Sequence, residues 1–432
     1  MKSEIKLFFI AASFFGAIIF SQPLQSQPLY KKHMLDLNIN YYQVCEEAED
    51  YFSKIDRHKK GSGWKNFLRW QYENKSRYYP SGNRMLVNHF VGVESFQKLQ
   101  RENQNRSIMP KWSNMGPYKV DSITFGYNSG IGRVECFEIV PNNKNLIYIG
   151  SKGGGFWKSI DGGQTWKNTT DQLPVSGVFC MDKNPFNPDE ILINSNQAST
   201  TLSHGIYRSI DAGDTWLLTN LNPNNGFGGL DKNLFVRFIA YHPFVKDLVF
   251  IGTSEGLYRS SDNLKSYSKI IPDGLFTEIE FHPKDTQTIY TIDVLTHDQN
   301  TIKISNDIGR NFYSSTEIPG INGISGALTV TPLEPDAVYL GYFSDLYKSV
   351  NKGKSFELIG NLNKNTIGDF AISDIDNKII IGGYVNAELS KDGGKTFEEI
   401  SDWASIRPDS SYIHADITVA ACHNGIFYLA TD

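Results

Sequence analysis

Three carboxylates recur at one place in the chain. Glu138, Asp182 and Glu280 each stand three residues before a proline, at Pro141, Pro185 and Pro283. Carboxylates in register on neighbouring strands can exchange protons, bind a cation or hydrogen-bond a polar ligand. Arg133, His414 and Asp416 stand at the starts of comparable strand-like runs. The six side chains form a candidate ligand-binding set for a glycan, a peptide or a cation. The competing reading makes them salt bridges and turn bonds between repeats. His204, His242, His282, His297, His414 and His423 are scattered, and His242 and His282 share one repeat position, which points to structure. No His-Glu-x-x-His motif, nucleophile elbow or phosphate loop occurs. Gly153-Gly154-Gly155 precedes a strand, so it reads as a turn. The motifs name no catalytic residue, and no metal or cofactor is expected.

The elements that would position these residues are announced by a repeat. Ser159-Ile-Asp161-Gly-Gly163-Gln-Thr165-Trp166 returns as Ser209-Ile-Asp211-Ala-Gly213-Asp-Thr215-Trp216. Further copies centre on Asp262, Asp307, Asn351 and Asp392. The opening serines are 50, 51, 45, 44 and 41 residues apart. A period of 40–50 residues with strand-like segments denotes propeller blades. Each copy joins two strand-like runs. The aspartate can accept backbone N–H bonds inside the turn, the glycine two positions later can take a positive φ, and the aromatic can bury against a neighbour. Leu264 and Asn351 replace the usual Gly and Asp, so those two turns are expected to be less regular. The proline-ended run reads as the inner strand of a blade, placing the carboxylates beside the axial channel.

This pattern resembles the Asp-box (BNR) repeats of sialidases, xyloglucanase-type glycoside hydrolases and the sortilin ectodomain, across residues 112–432. The resemblance implies a β-propeller in which the Asp-box is structural. The Arg-Ile-Pro signature of sialidases is absent. Xyloglucanase-type enzymes are similar in Ile149-Gly150-Ser151-Lys152-Gly153-Gly154-Gly155-Phe156-Trp157-Lys158, where the family carries an Asp beside the glycine pair. Lys152 stands in that neighbourhood here. The expectation is therefore a non-catalytic recognition module for glycan or protein, with glycoside hydrolysis as the alternative.

The remaining sequence sets the frame. The chain has 432 residues, 13% of them aromatic, with 37 glycines and a formal charge of −5. This composition suits many short strands and gives no reason to expect nucleic acid as a partner. Lys2 and Lys6, then an apolar run from Leu7 to Phe20, read residues 1–21 as a signal peptide. The mature chain is expected outside the cell or on its surface, monomeric and without a membrane span. Residues 22–110 read as a helical lead-in. One helix carries Tyr42, Cys45, Ala48 and Phe52, another Trp64, Phe67, Leu68 and Tyr72, and a third spans Met85 to Arg101. Gly63–Trp70 and Arg77–Gly82 resemble the lead-in of large secreted proteins of Bacteroidetes-type bacteria, and sortilin-like propellers in such exported proteins imply sorting through type IX secretion. Residues 111–432 read as an all-β, seven-bladed propeller with an incomplete last blade. His414–Ala420 would be its inner strand, Gly425–Ala430 its second, and Lys111–Pro117, with Trp112, an outer one. The chain then reads as a fragment of a longer secreted protein. Cys45, Cys136, Cys180 and Cys422 fit no zinc spacing and are expected as free thiols.

Overall fold

A computed structural model describes residues 28–59, 61–86, four positions between 95 and 102, 132–140, 143–197, 202–227, 234–294, 300–315, 326–362, 367–404 and 412–431. The expected signal peptide, the expected 111–117 strand and nearly all of the expected third helix fall outside these residues. The chain divides into two compact units at residues 88 and 89. Among the described residues no helix is long and apolar enough to cross a membrane, and all four cysteines are free.

The first unit holds helices α1 (Leu29–Leu35), α2 (Tyr41–Ser53) and α3 (Trp64–Tyr78). Asn40 caps α2 by accepting the Tyr42 N–H. Tyr41, Val44, Ala48 and Phe52 face inward. That stripe corrects the expected one: steps of three, four and four from Tyr41 follow the helical period and leave Tyr42 exposed. In α3, Phe67, Asn74 and Tyr78 are buried, whereas Leu68 and Tyr72 are exposed. The Arg84 guanidinium closes the unit. It donates to the carbonyls of His33, Met34 and Asp36 and lies over the Trp70 and Tyr78 rings.

The second unit is all-β. Among the described residues, six four-stranded antiparallel sheets and one two-stranded sheet follow one another along the chain. Blade 1 comprises Cys136–Ile139, Ile147–Ser151, Gly155–Ser159 and Lys167–Asn168, from inner to outer strand. The inner strands of blades 2 to 6 are Gly177–Lys183, Val236–Tyr241, Phe276–Phe281, Gly326–Val330 and Asp369–Ile372. Each inner strand packs beside the next, which produces a six-bladed propeller. The second strands of blades 2 to 5 are fully buried and form the core between sheets.

The two-stranded sheet, Val419–His423 with Ile426–Ala430, lies between blades 6 and 1. The Ala420 N–H reaches Asp369 of blade 6 at 2.8 Å. On the other side the Val134 N–H donates to the Thr431 carbonyl at 3.1 Å, and the Thr418 hydroxyl to the Val134 carbonyl at 2.7 Å. The ends of the ring are thereby tied together. Six full blades and this sheet stand where seven blades were expected. Its inner strand starts at Val419 rather than His414, because Asp416 has a φ of 64° and cannot continue an extended strand.

The repeated turns share one hydrogen-bond scheme. In all six the serine hydroxyl donates to the Oδ1 of the Asp or Asn two residues on at 2.7–2.9 Å. The serine oxygen also accepts the N–H four residues on at 2.8–2.9 Å. At Asp161 and Asp392 the following threonine donates its hydroxyl and its N–H to the carboxylate. Those bonds, joined by the serine hydroxyl, hold both carboxyls down at about 2. The expected irregularity at Leu264 and Asn351 is not observed. Leu264 adopts a φ of 59° and is buried in a core cluster with Ile206 and Leu221, so burial compensates the strained backbone. Asn351 keeps the acceptor at Oδ1 and turns its Nδ2 to donate to the Ser355 hydroxyl at 2.8 Å.

One closing aromatic joins two blades. Trp216 of blade 2 packs edge-on against Phe156 of blade 1, with ring centroids 4.9 Å apart, and its Nε1 donates to Thr169. Gly213, at φ 85°, lies so close to Phe156 that a Cβ there would sit 2.6 Å from the ring. Only glycine fits that approach.

Candidate functional site

The inner strands gather titratable side chains from several blades around the axis. Glu138 of blade 1 and Asp182 of blade 2 meet directly, carboxyl against carboxyl. Asp182 is oriented by the backbone, its Oδ1 accepting the Lys183 N–H at 2.7 Å and its Oδ2 the Tyr241 N–H. Loss of water, then the neighbouring Asp182 charge, raises Glu138 well above the ordinary carboxylate range. Burial raises Asp182 as well, to about 6, opposed by the backbone N–H groups of Tyr241 and Lys183.

Glu280 belongs to a second group. It shares blade 4 with Glu278, and both feel the charge of Asp369 on blade 6. Blade 5 stands between their two strands. Burial, then Asp369, pushes Glu280 up to about 8. Burial raises Asp369 too, opposed by the N–H groups of Ala420 and Phe370. Arg237 on blade 3 lies over the Phe179 and Phe235 rings and is attracted by Glu135, two blades away.

The six expected site residues are therefore divided. Glu138 and Asp182 come together, and Glu280 joins the second group. Arg133 pairs with Glu135 at 2.9 Å. His414 bonds the neighbouring Ala415 carbonyl, and Asp416 occupies the backbone bend before the last inner strand. Glu278 and Asp369 were missed. His242 and His282 are structural: each Nδ1 accepts two backbone N–H groups of the turn that follows. An open cleft between blades 5 and 6, lined by Lys348, Asn377, Lys378, Asp392 and Lys395, touches none of the channel carboxyls.

Chemically, Glu138 and Asp182 are neighbouring buried carboxyls that resist being ionised together. Glycoside hydrolysis needs two carboxyls about 5–5.5 Å or about 6.5–9.5 Å apart, leaving room for the sugar and for water. Two carboxyls in hydrogen-bond contact leave no such gap.

No protein-family model matches the chain. A xyloglucanase of a Paenibacillus species is 27% identical over 180 residues, which is 35% of this chain and 17% of that protein. The xyloglucanase of Xanthomonas campestris superposes with a TM-score of 0.51 at 17% identity, covering 64% of this chain and 46% of that one. The extracellular domain of a putative one-component system from B. thetaiotaomicron superposes at 0.52 and 16% identity, covering 73% and 39%. The shared fold is a β-propeller. The chain spans less than half the length of each of these three proteins. Sequence similarity to xyloglucanases makes the propeller glycoside-hydrolase-like.

Proposed function

We propose that this propeller acts on a β-glucan polysaccharide of the xyloglucan type, outside the cell, as part of a glycoside hydrolase. The sequence similarity to a xyloglucanase over 180 residues carries this reading. The six repeated turns, five serine–aspartate and one serine–asparagine, support an Asp-box assignment, and the two-stranded sheet is read as the inner half of a seventh blade. The polysaccharide lies over one face of the ring, where turns from several blades converge. Product analysis tests it: xyloglucan incubated with the purified chain should yield oligosaccharides detectable by mass spectrometry. Intact polymer after prolonged incubation would contradict hydrolysis.

One observation favours a second reading, non-catalytic recognition of a glycan or protein by a monomeric, sortilin-like propeller. Lys152 occupies the neighbourhood in which xyloglucanase-type enzymes carry an aspartate, and lysine at ordinary pH is no general base. Retention of the chain on xyloglucan without oligosaccharide release would select this reading.

A further inference from the structure

The turns between second and third strands lie at one end of every blade. The corresponding position holds Lys152 in blade 1, Ser254 in blade 3, Phe343 in blade 5 and Tyr384 in blade 6. Phe343 and Tyr384 are 57% and 39% exposed. Two consecutive blades thus present an aromatic ring to solvent on the same face of the disc.

Both turns are fastened by backbone bonds. The Phe343 carbonyl accepts the Ile367 N–H, and the Tyr384 carbonyl accepts the Ile417 N–H at 2.8 Å. In each case the turn is fastened to the start of the next inner strand. Phe343 has a φ of 50°, a conformation that a bulky side chain adopts at a cost. Its ring stands edge-on to Tyr342 with centroids 4.7 Å apart. Simple packing does not require this, since Phe343 gains little burial in return.

Polar side chains follow Phe343 directly in the chain and are held by Asn361. Asn361 donates to the Ser344 hydroxyl at 2.9 Å and to Asp345 Oδ1 at 2.7 Å. At the neighbouring turn, Asn386 Oδ1 accepts the Trp403 N–H at 2.9 Å. An exposed ring beside an oriented carboxylate and amides suits a pyranose: the ring covers its C–H face, and the polar groups take its hydroxyls.

We propose that Phe343 and Tyr384 form a stacking platform for successive sugar rings of a polysaccharide chain, with Asp345 and Asn361 accepting and donating hydrogen bonds to the sugar at Phe343. This inference rests on the carbohydrate reading above and names its binding residues. It does not depend on hydrolysis.

The test is affinity electrophoresis of the full chain through gels containing xyloglucan. Phe343→Ala and Tyr384→Ala should each weaken retardation about three- to tenfold, and the double variant at least tenfold. Phe343→Asn keeps the left-handed turn, which asparagine tolerates, so it should melt at or above the wild-type temperature and still lose binding. Phe186→Ala, on the opposite face, should bind as wild type. A double variant as strongly retarded as a retarded wild type would overturn the platform while sparing the carbohydrate reading. A wild-type chain not retarded by xyloglucan would overturn both.

Discussion

A carboxyl that keeps its proton inside a ring makes folding depend on pH. Glu280 is held at about 8 in the folded chain, above its ordinary value of 4.5. The folded state therefore binds this proton more tightly than the unfolded state. Its contribution is complete below the ordinary value and is lost as pH climbs towards 8. The turn aspartates act oppositely: Asp161 and Asp392, held at about 2, lose their contribution as pH falls below 3.8. Melting temperature should consequently be highest at mildly acidic pH and fall towards pH 8. Glu280→Gln, which mimics the protonated form, should flatten the fall between pH 5 and 8 in differential scanning calorimetry. Parallel curves for variant and wild type would contradict the assignment. The first three carboxylates were legible because each precedes a proline. Glu278 lies two residues before Glu280, and strand alternation alone could have found it. Asp369 was not legible: it stands five residues before Asp374, which takes the proline's place in blade 6, and the position three before is Ala371.

At the scale of the element, the repeated turn depends on its serine. Ser209 is buried, donates to Asp211 and accepts the Gly213 N–H at 2.8 Å. Ser209→Ala leaves that N–H and the carboxylate short of a partner, and should destabilise the chain by roughly 1–3 kcal/mol in denaturant titration. An unchanged midpoint would mean that the turn bonds are replaced by water without cost. The strands and turns were readable from the sequence because both the period-two pattern and the turn chemistry are local. The sequence pattern placed Ala48 and Phe52 of the α2 stripe correctly but set its first two positions one residue late, since Tyr41 and Tyr42 are chemically equivalent until the Asn40 cap sets where the helix begins. It also misjudged Leu264, whose strain is offset by burial against another blade, a contact far away in sequence.

At the scale of the molecule, the ring brings to one face positions that are distant along the chain. Lys152, Phe343 and Tyr384 share a place in the blade, yet their relation becomes visible only once second and third strands are in register. The period revealed the ring, but not which residues on its rim meet a ligand. The central claim is that this face engages a β-glucan chain. Hydrogen–deuterium exchange of the full chain with and without xyloglucan oligosaccharide tests it most directly. Protection is predicted at residues 152–154, 343–345 and 384–386, with the opposite-face turns around Phe186 and Phe244 unchanged. Protection confined to those opposite turns, or to the helical unit, or found nowhere, would contradict it.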